Sequence, residues 1–342
     1  LDLRRPEMQE ALQLRHRLVL GTRNHLDGQG FLEVETPILT KPTPEGARDY
    51  VVPSRVHKGE FYALPQSPQI YKQVLMIAGF DRYFQIARCF RDEDLRAERQ
   101  PEFTQIDIEM SFVEVDDVLG LTEGLMAALG PVAGIPVPDP LRRLTYAEAM
   151  ERYGNDRPDL RWGLEIQDWT AALEGSEFRV LQAAVEGGGR IRGLALDGGA
   201  RLSRKQIEAV EAAAKAAGAP GLLWAKRTAD GGSGPLSRFF SDDDFAALGL
   251  REGDLALVAA GADDVTSPAL AAARLAAAAA LDLPMETEHA WLWVTDFPVF
   301  HQEDGQLTPS HHPFVMPHPE ELDALEGDPT SVRGLAYDLV YN

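Results

Sequence analysis

Residues 81–112 read DRYFQIARCFRDEDLRAERQPEFTQIDIEMSF, and their alternation decides the fold. From Arg82 to Arg91, Phe84, Ile86 and Phe90 point one way, and Tyr83, Gln85, Cys89 and Arg91 the other. After an intervening loop, Thr104, Ile106, Ile108, Met110 and Phe112 alternate with Phe103, Gln105, Asp107, Glu109 and Ser111. A period of two is the strand signature and separates a core face from a polar face. The polar face carries an amide, two carboxylates and an aromatic ring. A merely solvated face would show Lys, Thr and Ser, so this one reads as the wall of a site. The loop from Asp92 to Glu102 is too long for a tight hairpin, and long ordered loops tend to be functional.

Upstream, residues 5–27 predict one long helix. Met8, Ala11, Leu12, Val19 and Leu26 form its stripe, Leu14 and Leu18 widen it, and Gly28 and Gly30 end it. Phe31 to Glu35 reads as a short strand, which Pro37 confines to an edge or an interface. Residues 40–48 form a Pro/Gly-rich loop with Glu45 near its tip; that carboxylate is either solvated or functional, since loops carry both. Tyr50 to Pro53 and Glu60 to Leu64 pair as a hairpin. Ser67 as N-cap and Pro68 at the first helical position predict a helix to Ala78, with Gln69 and Lys72 on one face. A lysine in the first turn opposes the helix dipole. It fits an anionic partner; the alternative is an ordinary surface lysine.

Downstream, a helix is expected from Asp116 to Leu129, a Pro-rich linker from Pro131 to Pro140, and a short helix from Tyr146 to Tyr153 ended by Gly154. From Asn155 to Glu286 the composition shifts to Gly, Ala and Asp. Helices at 203–217 and 265–281, with strands near 177–182, 191–196, 221–226 and 254–260, predict a smaller α+β domain inserted into the first. The glycines at 187–189 and 198–199 match neither GxGxxG nor GxxxxGK[ST] and read as turns. Strand patterning returns at His289 to Phe297, followed by the adjacent His311 and His312, a short helix at Glu320 to Leu325, and a final apolar segment interrupted by Asp338.

The 342 residues suffice for two domains, and the net charge of -21 argues against sequence-blind binding to a phosphate backbone. Cys89 is the only cysteine, which excludes an internal disulfide and fits a reducing cytoplasm. No Cys/His cluster has zinc spacing, and no apolar run has the roughly 20 residues of a membrane span. Arg91, at the end of its strand, can hold a phosphate or carboxylate in bidentate fashion. Phe103 can stack on a flat ring. Glu93 and Gln100 could bond a base edge or ribose, and Asp107 and Glu109 could bind an amino group or hold Lys72 in place. Together these residues outline a nucleotide-plus-anion site on an antiparallel sheet.

The segment FRDEDLRAERQPEFTQIDIEMSF resembles motif 2 of the class II aminoacyl-tRNA synthetases, in particular the bacterial-type aspartyl-tRNA synthetases. GFLEVETPILTKPTPEGARDY resembles motif 1 of that family and the mobile loop after it, PQSPQIYKQ its aspartate-recognition segment, SHHPF its histidine segment, and AYDLVYN a strand late in the site. The resemblance implies an antiparallel sheet flanked by helices, with an insertion. Residues 1–154 would be the first part of the catalytic domain, 155–286 the inserted domain and 287–342 the second catalytic part. It implies ATP bound by Arg91, Asp92, Glu93, Gln100 and Phe103. Aspartate would be bound by Glu45, Gln69, Lys72, Arg91 and His311, with Lys72 on its side-chain carboxylate. Arg91 would be the catalytic residue, on the α-phosphate and the substrate carboxylate. Asp338 would help hold a magnesium ion bridging the ATP phosphates. The implied reaction is aspartyl-adenylate formation and transfer to the 3′ end of tRNA, by a cytoplasmic homodimer joined through the long helix and the Pro37 strand.

This sequence departs from the family pattern in two places. Motif 3 has no counterpart; the near match GLALD at 193–197 lacks its arginine. An N-terminal anticodon-binding domain has none either. The expectation is a piece of a longer protein with an incomplete site and little or no activity of its own. Two other readings remain: a related ligase, such as an asparaginyl-tRNA synthetase or an ammonia-dependent asparagine synthetase, or a non-catalytic module built on the same fold.

Overall fold

The computed structural model describes residues 2–42, 46–94, 99–303, 305–312 and 314–342. The chain divides into two compact units: residues 1–140 with 312–314, and residues 141–311 with 315–342.

In the first unit, helix α1 (Pro6–Gly28) leads to β1 (Leu32–Glu33), the hairpin β2 (Val51–Pro53) and β3 (Phe61–Ala63), helix α2 (Gln69–Ile77), strands β4 (Arg82–Phe90) and β5 (Glu102–Met110), and helix α3 (Val115–Ala133). The sheet order is β1-β4-β5. β1 runs parallel to β4, and β5 antiparallel to it with Arg82 opposite Met110 and Phe90 opposite Glu102. Leu26 of α1, Phe31 and Phe84 are buried together, with Ile108, Met110 and Leu121 of α3 packed against them. Only Thr22 and Leu26 of α1 are buried, so most of the expected apolar stripe faces outward. α2 lies on the other face of the sheet, which its Lys72 meets.

The alternation in β4 and β5 is present, but the depth of its faces differs from expectation. Ile106, on the expected core face, is exposed, whereas Tyr83, Ala87, Cys89 and Asp107 on the opposite face are buried. α2 covers that polar face closely, while α1 and α3 cover only one end of the other. Phe112 is no core residue either: β5 stops at Met110, and Phe112 has φ 59° and is 97% exposed. The N-terminus of α2 is also shifted. Pro68 occupies the cap position, without a side-chain cap bond, and helical residues start at Gln69. α3 runs through Pro131 to Ala133, where the linker was expected to have begun, and Gly134 ends it in the left-handed region.

The second unit opens with β6 (Arg142–Thr145) and α4 (Tyr146–Tyr153). It continues through β7 (Gln167–Asp168), α5 (Thr170–Leu173), α6 (Arg179–Glu186), β8 (Arg190–Leu196), α7 (Arg204–Ala216), β9 (Leu223–Thr228), β10 (Gly231–Ser233), α8 (Asp242–Ala247), β11 (Leu255–Gly261) and α9 (Asp263–Leu281). β12 (Trp291–Thr295), the hairpin β13 (Phe300–Glu303) and β14 (Gln306–Pro309), and β15 (Tyr337–Tyr341) complete it. Two sheets organise this unit. One has the order β15-β12-β6, the other β10-β9-β11-β8-β7. β6 and β12 are neighbours, so the chain leaves one sheet after α4, builds the other, and returns beside the strand it left. Leu144, Ala149, Tyr153, Leu292, Val294, Phe297 and Val340 form the core of the first. α7 and α9 pack on the second through Ile207, Val210, Ala214, Ala273 and Ala277.

The strand expected near 177–182 is instead part of α6. Leu181 is buried and Val185, four residues on, packs beside it, which is helical spacing. Gly193–Leu196 of the GLALD segment form the C-terminal half of β8, where Gly193 has a packing reason: a Cβ there would lie 2.1 Å from the Trp169 ring and 2.4 Å from the Leu257 carbonyl oxygen.

Thr145 caps α4. Its Oγ1 accepts from the Glu148 amide at 3.1 Å, and the Glu148 carboxylate accepts from the Thr145 amide at 2.8 Å. These bonds, first the one from the backbone and then the one from the side chain of Thr145, hold the Glu148 carboxyl below its ordinary pKa. Thr145→Ala is expected to cost about 1 kcal/mol of stability near neutral pH. Because the Glu148 pKa is depressed on folding, the carboxylate half of this box is fully present above its unfolded value and lost as pH falls through the folded one. Denaturant titrations at both pH values check this; a variant difference that grows in acid contradicts it.

Candidate active site

The register of β4 and β5 places Tyr83 opposite Glu109, Gln85 opposite Asp107, Ala87 opposite Gln105 and Cys89 opposite Phe103. These side chains share the face that α2 crosses. Lys72, the fourth residue of α2, sets its Nζ 2.9 Å from Asp107 Oδ1 and 3.3 Å from Glu109 Oε2, and is 9% exposed. Burial penalises the ammonium, but the two carboxylates outweigh that, and the Lys72 pKa is raised above its ordinary value. Of the two roles the sequence allows Asp107 and Glu109, the geometry has them holding Lys72. The ammonium has three donors, and two carboxylate partners leave one for a ligand. Gln69, half-buried, lies three residues earlier on the same helix.

Arg91 and Phe103 meet at the end of the hairpin. The guanidinium carbon lies 5.0 Å from the ring centroid, a cation–π contact, and the Arg91 amide donates to the Pro101 carbonyl at 2.9 Å, closing the base of the loop. The Arg91 fork therefore lies over the ring the sequence assigns to stacking. Glu93 accepts from Arg99 at 3.4 Å. The Asp92 amide donates to the Arg48 carbonyl at 3.0 Å, while their side chains pair only at 3.7 Å and are exposed. Such a surface pair contributes about 0–1 kcal/mol. Gln100 is exposed, and Glu45 lies outside the described residues.

Four polar residues here were not singled out from the sequence. Gln66, 1% exposed, donates through Nε2 to the Ala47 carbonyl at 2.9 Å and to Asp49 Oδ1 at 2.6 Å, and accepts from the Ala47 amide at 3.2 Å. It anchors the foot of the loop that carries Glu45. Gln85 Oε1 accepts from the hydroxyls of Tyr83 and Thr36, each at 2.9 Å. Periodicity gives no signal for Gln66 or Thr36, which lie between elements. Tyr83 and Gln85 had only their place on the polar face of the strand as a hint.

His311 and Asp338 belong to the second unit. Asp338 lies on β15 opposite Val294. Asp338 is exposed, yet partial desolvation of its carboxyl raises its pKa above the ordinary value; His311 acts in the opposite direction and Asp156 in the same one. The His311 ring sits edge-on to Phe297, with centroids 4.9 Å apart. Among the described residues no group of three or more His, Cys, Asp or Glu converges on a metal position. A lone carboxylate suits magnesium that arrives with nucleotide phosphates, which supply most of its ligands.

An antiparallel β4–β5 hairpin with an arginine and an aromatic at its open end, and a buried lysine on the covering helix, agrees with the sequence comparisons. The profile of the family described as tRNA synthetases class II (D, K and N) matches residues 1–342, and the chain belongs to that family. Within it, the chain is 52% identical over 350 aligned positions to an aspartate–tRNA ligase of Geobacillus kaustophilus (strain HTA426). It is equally similar to an aspartate–tRNA(Asp/Asn) ligase of Geobacillus sp. (strain WCH70), and 49% identical to an aspartate–tRNA ligase of Clostridium perfringens (strain 13 / Type A). These alignments cover all of this chain and 59% of each relative, so the chain spans about three fifths of their length. Among the described residues no helix is long and apolar enough to cross a membrane.

Proposed function

We propose that this chain is the larger part of the catalytic region of an aspartate–tRNA ligase. The observation that carries the reading is Lys72, buried between Asp107 and Glu109 on the face whose far end holds Arg91 and Phe103. A buried ammonium held by two carboxylates, with a donor left over, suits a small ligand bearing both an anionic side chain and an ammonium group. In the first step a carboxylate oxygen of aspartate attacks the α-phosphorus of ATP and pyrophosphate leaves. In the second, the 3′-terminal hydroxyl of tRNA attacks the aspartyl carbonyl and AMP leaves. Arg91 neutralises the α-phosphate and the attacking carboxylate; turned from Phe103, it leaves that ring for adenine. Asp92, Glu93 and Gln100 contact the nucleotide. Gln69 and Glu45 would share the aspartate role with Lys72, and the resemblance would give His311 an aspartate contact and Asp338 a part in holding the magnesium that ATP brings. Catalysis here is positioning and charge neutralisation, with no protein nucleophile. The reading extends to a cytoplasmic homodimer joined through α1 and β1, with residues 155–286 as an inserted domain.

The test is pyrophosphate exchange by the full-length protein with each amino acid in turn. Exchange dependent on aspartate, with asparagine at least about a hundredfold poorer, is expected, because a neutral amide leaves the Lys72 charge unmatched. Preference for asparagine, or no exchange with either, overturns the proposal in favour of a related ligase or a binding module.

A further inference from the structure

Asp107 uses one carboxylate oxygen on Lys72, and its other, Oδ2, is buried with no hydrogen-bond partner among the described residues. An unsatisfied buried carboxylate oxygen costs a protein free energy, and native structures rarely leave one. Tyr83 is placed to satisfy it. Tyr83 lies on β4 opposite Glu109, so it is the diagonal neighbour of Asp107 on the same face, within reach of a long side chain. It is fully buried. Burial first, and then the charge of Asp107 beside it, push the Tyr83 hydroxyl well above its ordinary pKa, so it remains a donor.

The hydroxyl has one proton and sits 2.9 Å from the Gln85 amide end, which also meets the Thr36 hydroxyl at 2.9 Å. An amide end presents either atom to its neighbours. With the Gln85 nitrogen toward them, its two N–H groups donate to Thr36 and Tyr83, and the Tyr83 proton is released to Asp107. We propose that Tyr83 is a positioning residue for the amino-acid site: it donates to Asp107 Oδ2, fixing the carboxylate that fixes Lys72, and is itself oriented by Gln85 and Thr36. Thr36 precedes Pro37 in the segment expected to form the subunit interface. The relay thus runs from that segment to the amino-acid pocket through four side chains. The proposal rests on Lys72 contacting the amino-acid substrate.

Two measurements on the full-length protein test it. In pyrophosphate exchange, Tyr83→Phe is expected to raise the KM for aspartate about tenfold, as loss of a hydrogen bond to a charged group does, with kcat and the KM for ATP within about twofold. In thermal unfolding, Tyr83→Phe combined with Asp107→Ala is expected to melt no lower than Asp107→Ala alone, because both remove the same bond. A KM for aspartate within about twofold of the parent, a parallel rise in both KM values, or melting decrements that simply add, overturns the relay. Lys72→Met separates the two claims. If it leaves the KM for aspartate unchanged, the functional reading fails, while the unfolding cycle still decides the Tyr83–Asp107 bond.

Discussion

Lys72→Ala in the full-length protein raises the KM for aspartate by at least about a hundredfold and leaves the KM for ATP within a few-fold. Removing Lys72 does more than delete one contact, because it strands the buried Asp107 beside the half-buried Glu109, at 2.9 and 3.3 Å from the lost ammonium. Breaking a buried pair from one side costs about 3–5 kcal/mol. That corresponds to roughly two to three and a half decades in an equilibrium constant. Arg91 and Phe103 make their contact without Lys72, so the nucleotide end of the hairpin loses nothing directly. Equal losses for both ligands would count against the assignment of Lys72 to the amino acid. The pH dependence follows in sign from the raised pKa of Lys72. A base whose folded pKa lies above its unfolded value contributes stability fully below the unfolded pKa, and that contribution fades as pH rises through the folded one. The Lys72 contribution is therefore flat through neutral pH and declines only in strong alkali.

The contrast between Lys72 and its surroundings shows what the sequence could and could not reveal. The strands of the hairpin were legible because alternation survives any tertiary context, and β4 and β5 lie within two residues of the expected ends. Which face is deep was not legible, because depth depends on what covers each face. A polar face beneath α2 is buried, and Ile106 on the apolar face is exposed. Lys72 stood out by opposing the helix dipole, a local conflict that needs a partner to explain it. Its two carboxylates stood out as neighbours on one strand face, but their pairing with Lys72 spans 35 residues and is a product of packing. Gln66 and Thr36 left no pattern at all, since one hydrogen-bonding residue between elements has no period. The misread helix α6 is the converse case. A short run around Val180 and Leu181 fits strand and helix alike, and packing of Leu181 and Val185 against the second sheet decided it.

Arg274→Ala destabilises the second unit by about 3–5 kcal/mol, more than any surface arginine in the chain. Arg274 lies inside α9 and is 1% exposed. Its guanidinium donates to the carbonyls of Leu164, Asp159 and, at 2.9 Å, Trp162, and its carbon lies 5.0 Å from the centre of the Tyr153 ring. Burial pulls its pKa below the ordinary value, while Tyr153, Asp159 and Glu165 favour the charged form. Arg274 therefore fastens the segment between α4 and β7 to a helix more than a hundred residues later in the chain. Alanine would leave three carbonyls without their donor and open a cavity beside Tyr153, whose ring belongs to the core under β6, β12 and β15. Methionine would refill much of the volume but none of the bonds, so Arg274→Met is expected to recover part of the loss and no more. Hydrogen exchange of the full-length protein checks this locally, with faster exchange confined at first to residues 150–166 and the facing turns of α9. A uniform effect, or a loss under about 1 kcal/mol, would show that α9 is held by its apolar contacts alone.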